Sequence, residues 1–288
     1  MLKPNAVRAA LREGREVYGL FCSIPNPVLV EMIGCAGYDF VVLDAEHALV
    51  DPEGLENLVR AAEAVGLTPF VRVPENDPGA ILKVLDAGAM GVVVPHVRTR
   101  ADADAAVRAA RYAPEGMRSL NGGRVPGFGL IDLAEYVRRA NEEVMVVPMI
   151  EDAEGVDALP EILAGGGIDL VLEGAADLSQ SYGVTWRTRH PVVVDALRRI
   201  HAACVEHGVP YCALPRTPED HEAWREAGVK AFVLGEERGL AFRALRGHLD
   251  AHRGGCPAGS DGVSGSDGVS GSAGVAGSAG VAGSAGVA

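Results

Sequence analysis

The most constraining feature of this sequence is a rhythm. Largely apolar runs at residues 17–23, 40–43, 68–73, 90–94, 144–150, 168–172, 209–214 and 229–234 recur eight times, separated by stretches with helical spacing. The runs show little polar alternation, which suits parallel strands covered on both faces. Helices are expected at 6–13, 27–36, 52–65, from 78 onward, 101–111, 131–141, 154–163, 191–207, 218–227 and up to about 252. Helix-start chemistry supports them, as at Asp51-Pro52 and Asp77-Pro78, where a capping acid precedes a first-turn proline. Eight β/α units in a stretch of this length predict one (β/α)8 barrel over residues 1–253, since such barrels need about 250 residues.

Two segments break the rhythm. Residues 112–130 form a Gly-, Pro- and Arg-rich connection, and long connections in compact domains are usually functional or mobile. Residues 254–288 change character, ending in five hexapeptides, two of Gly-Ser-Asp-Gly-Val-Ser and three of Gly-Ser-Ala-Gly-Val-Ala. With so few large side chains to offset ordering entropy, this tail is expected to be disordered.

Charge and composition exclude several functions. The formal net charge is −13, and the tail supplies only Asp261 and Asp267 of the acids, so the barrel itself is acidic. That disfavours a nucleic-acid surface and favours a soluble, cytoplasmic protein. No apolar run approaches the length of a membrane span, and no signal-like segment opens the chain. The five cysteines, Cys22, Cys35, Cys204, Cys212 and Cys256, form no C-x-x-C pair and read as reduced thiols. Lys3, Lys83 and Lys230 are the only lysines, and none closes a strand, so Schiff-base catalysis is disfavoured.

The strand ends carry the chemistry. In a barrel of this kind the active site lies at the carboxyl ends of the strands. Those ends present Asp44, Glu46 and His47, then Arg72, His96, Glu151, Asp177 and Arg216. Glu151 and Asp177 are a natural oxygen pair for Mg²⁺ or Mn²⁺. Arg72 offers a planar fork for a carboxylate, and His47 is the candidate proton shuttle. Arg216 and Arg124 are candidate contacts for an acidic acceptor, and His96 is a candidate lining residue.

Several motifs in order carry a resemblance. They are Leu43-Asp44-Ala-Glu46-His47, Val71-Arg72-Val73-Pro74, Leu85-Asp86-Ala-Gly88-Ala89, Val94-Pro95-His96-Val97, the run from Ala110 to Arg118, Ile150-Glu151, and Gly174-Ala175-Ala176-Asp177-Leu178-Ser179. Together they resemble the HpcH/HpaI aldolases, the metal-dependent pyruvate aldolases, and share parts with citrate lyase β-subunits. The resemblance implies a phosphoenolpyruvate/pyruvate-type barrel assembled as a homo-oligomer, from dimers up to a hexamer, that exchanges its eighth helix. It implies a divalent metal, Mg²⁺, Mn²⁺ or Co²⁺, on Glu151 and Asp177. Arg72 would hold pyruvate and its enolate, and His47 would be the acid/base, oriented by Asp86 with Asp44 close by. Met149, Gly174, Ala175 and Ala176 would line the substrate, a 2-oxo acid that reacts with an aldehyde.

The departures from that family pattern concern the same region. Met149 stands where a glutamine is usual, Ala175 where a proline is usual, and Glu173 where an apolar residue is usual. The loss of an amide and the gain of a carboxylate imply a non-standard donor or acceptor. The expected activity is cleavage of a 4-hydroxy-2-oxo acid or a related 2-oxo acid through a metal-stabilised enolate. The alternatives are a citrate-lyase-like acyl-CoA lyase and a non-catalytic ligand-binding protein on the same barrel.

Overall fold

The computed structural model of the chain describes residues 2–253, so Cys256 and the repeat tail lie outside the described residues. The strands are β1 (Val17–Cys22), β2 (Phe40–Asp44), β3 (Thr68–Arg72), β4 (Gly91–Val94), β5 (Met145–Ile150), β6 (Val171–Glu173), β7 (Tyr211–Ala213) and β8 (Ala231–Glu236). The helices are α1 (Ala6–Arg12), α2 (Pro27–Cys35), α3 (Pro52–Ala64), α4 (Pro78–Ala87), α5 (Arg100–Ala110), α6 (Leu133–Glu143), α7 (Ala153–Ala164), α8 (Ala175–Ser181), α9 (Pro191–His207), α10 (Pro218–Glu226) and α11 (Glu237–His252). The strands pair in parallel and in chain order, and β1 closes on β8 to complete the barrel. No helix among the described residues is long and apolar enough to cross a membrane.

Alternation along each strand divides the core into two shells. Val41, Leu43, Val71, Val92, Ile150, Val171 and Ala213 face the helices, while Phe40, Val42, Phe70, Val93, Met149, Leu172 and Cys212 fill the barrel. The interior layers pair large with small. Phe40 lies opposite Gly19, Phe70 lies opposite Gly91, and the two rings meet at 5.2 Å. At the amino end α1 acts as a plug. Its Val7 and Ala10 join the interior cluster, Asn5 donates to the carbonyls of Met90 and Glu143, and Arg8 reaches Asp169 at 2.6 Å.

The structure differs from the expected pattern in three places. The ladder of β6 starts at Val171 rather than at Ile168, because Gly166 and Gly167 adopt left-handed backbone just before it and the Asp169 carboxylate takes the Val146 N–H. In the same way, β7 spans only Tyr211–Ala213 of the expected run. The short α8 lies outside the expected pattern, since Leu178 is its only large apolar side chain and no helical period shows.

Filling the space reserved by Gly91 should be costly. A Cβ there would sit 2.6 Å from Phe70 Cδ1. Gly91→Ala is expected to lose about 1–3 kcal/mol by overpacking. A denaturant midpoint equal to that of the unmodified chain would contradict this packing.

Candidate active site at the carboxyl end of the barrel

Strand period and register deliver the site. Asp44 ends β2 directly opposite Arg72, which ends β3, and both point inward. Arg72 donates from Nε to Asp44 Oδ1 at 3.1 Å and from Nη2 to Oδ2 at 2.8 Å, a two-point pair that fixes the guanidinium plane. Phe21 supports it from below, with its ring centre 4.7 Å from Cζ. The third nitrogen, Nη1, lies 3.0 Å from Glu46 Oε2 and 3.8 Å from Met149 Sδ. Glu46 Oε2 is buried and has no aligned hydrogen bond, so its contact with Arg72 is an ion pair by proximity.

Asp44 also organises the turn that follows it. Its Oδ1 accepts from the N–H groups of Glu46 and His47 at 3.0 and 3.3 Å. Burial acts to raise the Asp44 carboxyl, but the hydrogen bonds and charge of Arg72 outweigh it and hold the group below the usual aspartate range. The turn carries His47 outward, where its side chain is 56% exposed and Nε2 lies 3.9 Å from Glu46 Oε2.

Across the mouth, Glu151 follows β5 and is 1% exposed. Burial pushes its carboxyl up to about 7, and the nearby charges of Asp177 and Glu46 add to the effect against an opposing pull from His96. His96 adopts a left-handed backbone, φ 52°, rare for a residue with a side chain. That turn aims its N–H at Glu151 Oε1, 2.9 Å away, while its Nδ1 sits 3.0 Å from Asp152 Oδ2. Burial would lower the His96 pKa, but the Asp152 hydrogen bond and the charges of Glu151 and Glu46 raise it. Gly174 lets the end of β6 close on this carboxylate, because a Cβ there would lie 2.5 Å from Glu151 Oε2 and 2.9 Å from Met149 Cε. Asp177 then stands in the first turn of α8.

Asp44, Glu46, Arg72, His96, Met149, Glu151 and Gly174 thus form one set of contacts, with His47 at its rim and Asp177 acting on Glu151. Other expected residues lie elsewhere. Asp86 is the penultimate residue of α4, at the amino end of the barrel, where it accepts from Arg118 at 2.9 Å and from Asn121 at 3.0 Å. A helix that returns from the mouth ends at the opposite face, so within one chain Asp86 does not orient His47. Arg124 is held at the same end by Glu63 and the Ala87 carbonyl. Glu173 adds no carboxylate to the mouth, because it is one residue beyond inward-facing Leu172. It points outward, accepting from Tyr211 Oη and from the Leu214 N–H, each at 2.6 Å. Arg216 and Ala175 likewise line an outer cavity beside α9 and α10.

The sequence reading missed Glu237. This buried residue opens α11, and its Oε1 accepts from the N–H groups of Ser23 and Ile24 at 2.7 and 2.6 Å, stitching the end of β1 to α11. The acid pair Glu236-Glu237 was the available signal, but acids in a loop do not reveal which backbone amides they meet.

Comparison with known proteins gives the family. The HpcH/HpaI aldolase/citrate lyase family matches residues 17–244. A 5-keto-4-deoxy-D-glucarate aldolase of Klebsiella pneumoniae is 34% identical over 251 residues, which cover 87% of this chain and 97% of that protein. The chain belongs to the HpcH/HpaI aldolase/citrate lyase family. By that membership and those relatives it is a carbon–carbon lyase of the aldolase type. Solved structures share the barrel. The citrate synthase SbnG superposes with a TM-score of 0.81 and 43% identity, covering 86% of this chain and 97% of that one. An HpcH/HpaI family protein of Burkholderia cenocepacia superposes with a TM-score of 0.81 and 33% identity, covering 86% and 99%.

The buried Asp44–Arg72 pair makes this lyase's mouth sensitive to acid. A lowered native pKa stabilises the fold above the ordinary aspartate value, near 3.8, and that stability is lost as pH falls through the native value. Asp44→Asn should cost about 3 kcal/mol at neutral pH, at the low end for an orphaned buried charge because Glu46 remains beside Arg72. It should also remove part of the acid-induced loss. Urea unfolding with unchanged midpoints at neutral and acid pH would contradict the pair's role.

Proposed function

We propose that the chain cleaves, or in reverse forms, a carbon–carbon bond next to the carbonyl of a 2-oxo acid, by way of an enolate. The supporting observation is the pairing, in one mouth, of buried Glu151, pushed up to about 7 beside Asp177, with the fixed guanidinium of Arg72. Crowded carboxylates with a raised pKa fit a site built for a divalent cation, and Mg²⁺ needs only one or two carboxylates beside water and substrate. Among the described residues no group of three His, Cys, Asp or Glu side chains forms a complete cage, which suits an ion that shares its ligands with substrate. Glu151 and Asp177 would hold Mg²⁺, Mn²⁺ or Co²⁺, whose charge polarises a bound 2-oxo acid.

The chain's own residues supply the rest. Arg72 Nη1 is the arginine nitrogen not taken by Asp44; it has no aligned hydrogen bond to Glu46, 3.0 Å away, and a thioether is a weak acceptor, so it would turn to the substrate carboxylate or the enolate oxygen. The backbone N–H groups of Ala175 and Ala176 would complete that contact, since the Gly174 N–H is held by the Ile150 carbonyl at 3.1 Å. Met149 cannot donate as an amide would, so orientation rests more heavily on Arg72. His47, at the rim, would accept the proton of the C4 hydroxyl of a 4-hydroxy-2-oxo acid. The C3–C4 bond then breaks, an aldehyde leaves, and the electron pair remains as an enolate that takes a proton at C3 to give the 2-oxo acid. A homo-oligomer built from dimers fits the exposed Leu240, Phe242 and Leu245 of α11.

A second reading is favoured by the 43% identity to a citrate synthase. The same mouth would join an acetyl thioester to a 2-oxo dicarboxylate, with Arg72 holding the acceptor. Release of free thiol from acetyl-CoA with oxaloacetate would identify that reaction, whereas pyruvate release from 4-hydroxy-2-oxo acids identifies the aldolase.

Glu151→Gln and Asp177→Asn should each abolish turnover, and chelator-treated enzyme should be inactive until Mg²⁺, Mn²⁺ or Co²⁺ is restored. His47→Ala should slow turnover by about 10² to 10⁴ with KM little changed. Steady-state assays of pyruvate or thiol release check all three. Full activity in metal-free enzyme would contradict the proposal.

A further inference from the structure

The outward turn of Glu173 leads to a second cavity. Helix α9 packs closely on α7, but its other neighbour, α10, stands off it and buries none of its residues fully. A cavity of about 510 Å³ lies between them, a volume within the range of small-molecule sites. Its apolar wall includes Leu197 and Trp224, and the Trp224 ring centre lies 5.3 Å from that of Tyr211 and 5.5 Å from that of His201.

Its polar lining is cationic, in contrast to the acidic chain. Arg189, Arg198 and Arg216 come from the segment just before α9, its middle and the loop after β7. The Arg216 Nε is buried without a hydrogen-bond partner. Two acids share the space and are already engaged. Glu173 takes the Tyr211 hydroxyl and the Leu214 N–H, and burial raises its pKa, which weakens its opposition to an anion. Asp220 lies 3.5 Å from Arg189.

We propose that this cavity binds a small polycarboxylate, with Arg216 as the inner anchor, Arg189 and Arg198 at the rim, and Trp224 against the carbon skeleton. Arg198 lies seven residues into α9, roughly 10 Å along it from Pro191 at 1.5 Å of rise per residue, and Arg189 precedes that first turn, so the two guanidinium groups enter from separate places. Guanidinium groups spread in this way match several carboxylates on one chain better than a single phosphate, which calls for convergent donors. The β6 and β7 backbones separate this cavity from the barrel mouth, so its occupant is a second ligand distinct from the substrate. The site stands independently of the reaction proposed above.

Trp224 provides the test, because the only other tryptophan is Trp186. In a Trp186→Phe background, citrate added to the full-length protein should change the fluorescence of Trp224 saturably, with Kd below about 1 mM. Arg216→Gln should weaken that binding at least about tenfold, and so should Arg189→Gln, whose exposed side chain can be changed without threatening the fold. No saturable change would overturn the site, including the case in which a second copy of the chain covers α10. Affinity unchanged in both arginine variants would also overturn it. Equal affinity for inorganic phosphate would overturn the polycarboxylate assignment.

Discussion

A strand in a closed barrel shows one face to the interior and the other to the helices, and this site depends on that two-residue period. Asp44, Arg72 and Glu151 each lie an even number of steps from an interior residue, namely Val42, Phe70 and Met149, and all three face the mouth. Glu173 is one step from interior Leu172 and faces away. A shift of one residue in any of these strands would exchange a functional group for an aliphatic one. The tightly filled layers below, with aromatic rings against Gly19 and Gly91, make such a slip costly.

The charges at the mouth are unequal by design of position. Arg72 gives two nitrogens to one carboxylate, Asp44, whose pKa it depresses, and keeps Nη1 beside Glu46. Glu151 has a backbone N–H from His96 but no guanidinium, so burial and the neighbouring acids push it the other way. One side of the mouth is thus neutralised by the chain and the other is left rich in oxygen and short of positive charge. Enolate chemistry requires both, a fixed cation for the substrate's carboxylate and a place for further positive charge at its carbonyl.

Much of this was legible in the sequence, for identifiable reasons. Uninterrupted apolar runs closed by Asp44, Arg72 and Glu151 marked strands and their chemical ends, and all eight strands lie within a residue or three of their expected bounds. Whatever depended on which way a side chain turns was harder to read. Glu173 ends β6 and Arg216 follows β7, yet they face the helices, because a difference of one residue in where the inner face falls is invisible without the ladder. Asp86 sits in a motif beside the site in sequence, but a whole helix separates it from the mouth. Glu237 and the left-handed turn at His96 work through backbone amides, which carry no sequence signal.

Formation of the enolate is the central claim, and solvent exchange reads it without knowledge of the acceptor. Pyruvate incubated in D2O with the enzyme and Mg²⁺ or Mn²⁺, followed by proton NMR, should lose its C3 proton signal, and the loss should depend on the metal and on Glu151. A folded, metal-saturated enzyme that leaves the C3 protons of pyruvate unexchanged would contradict it.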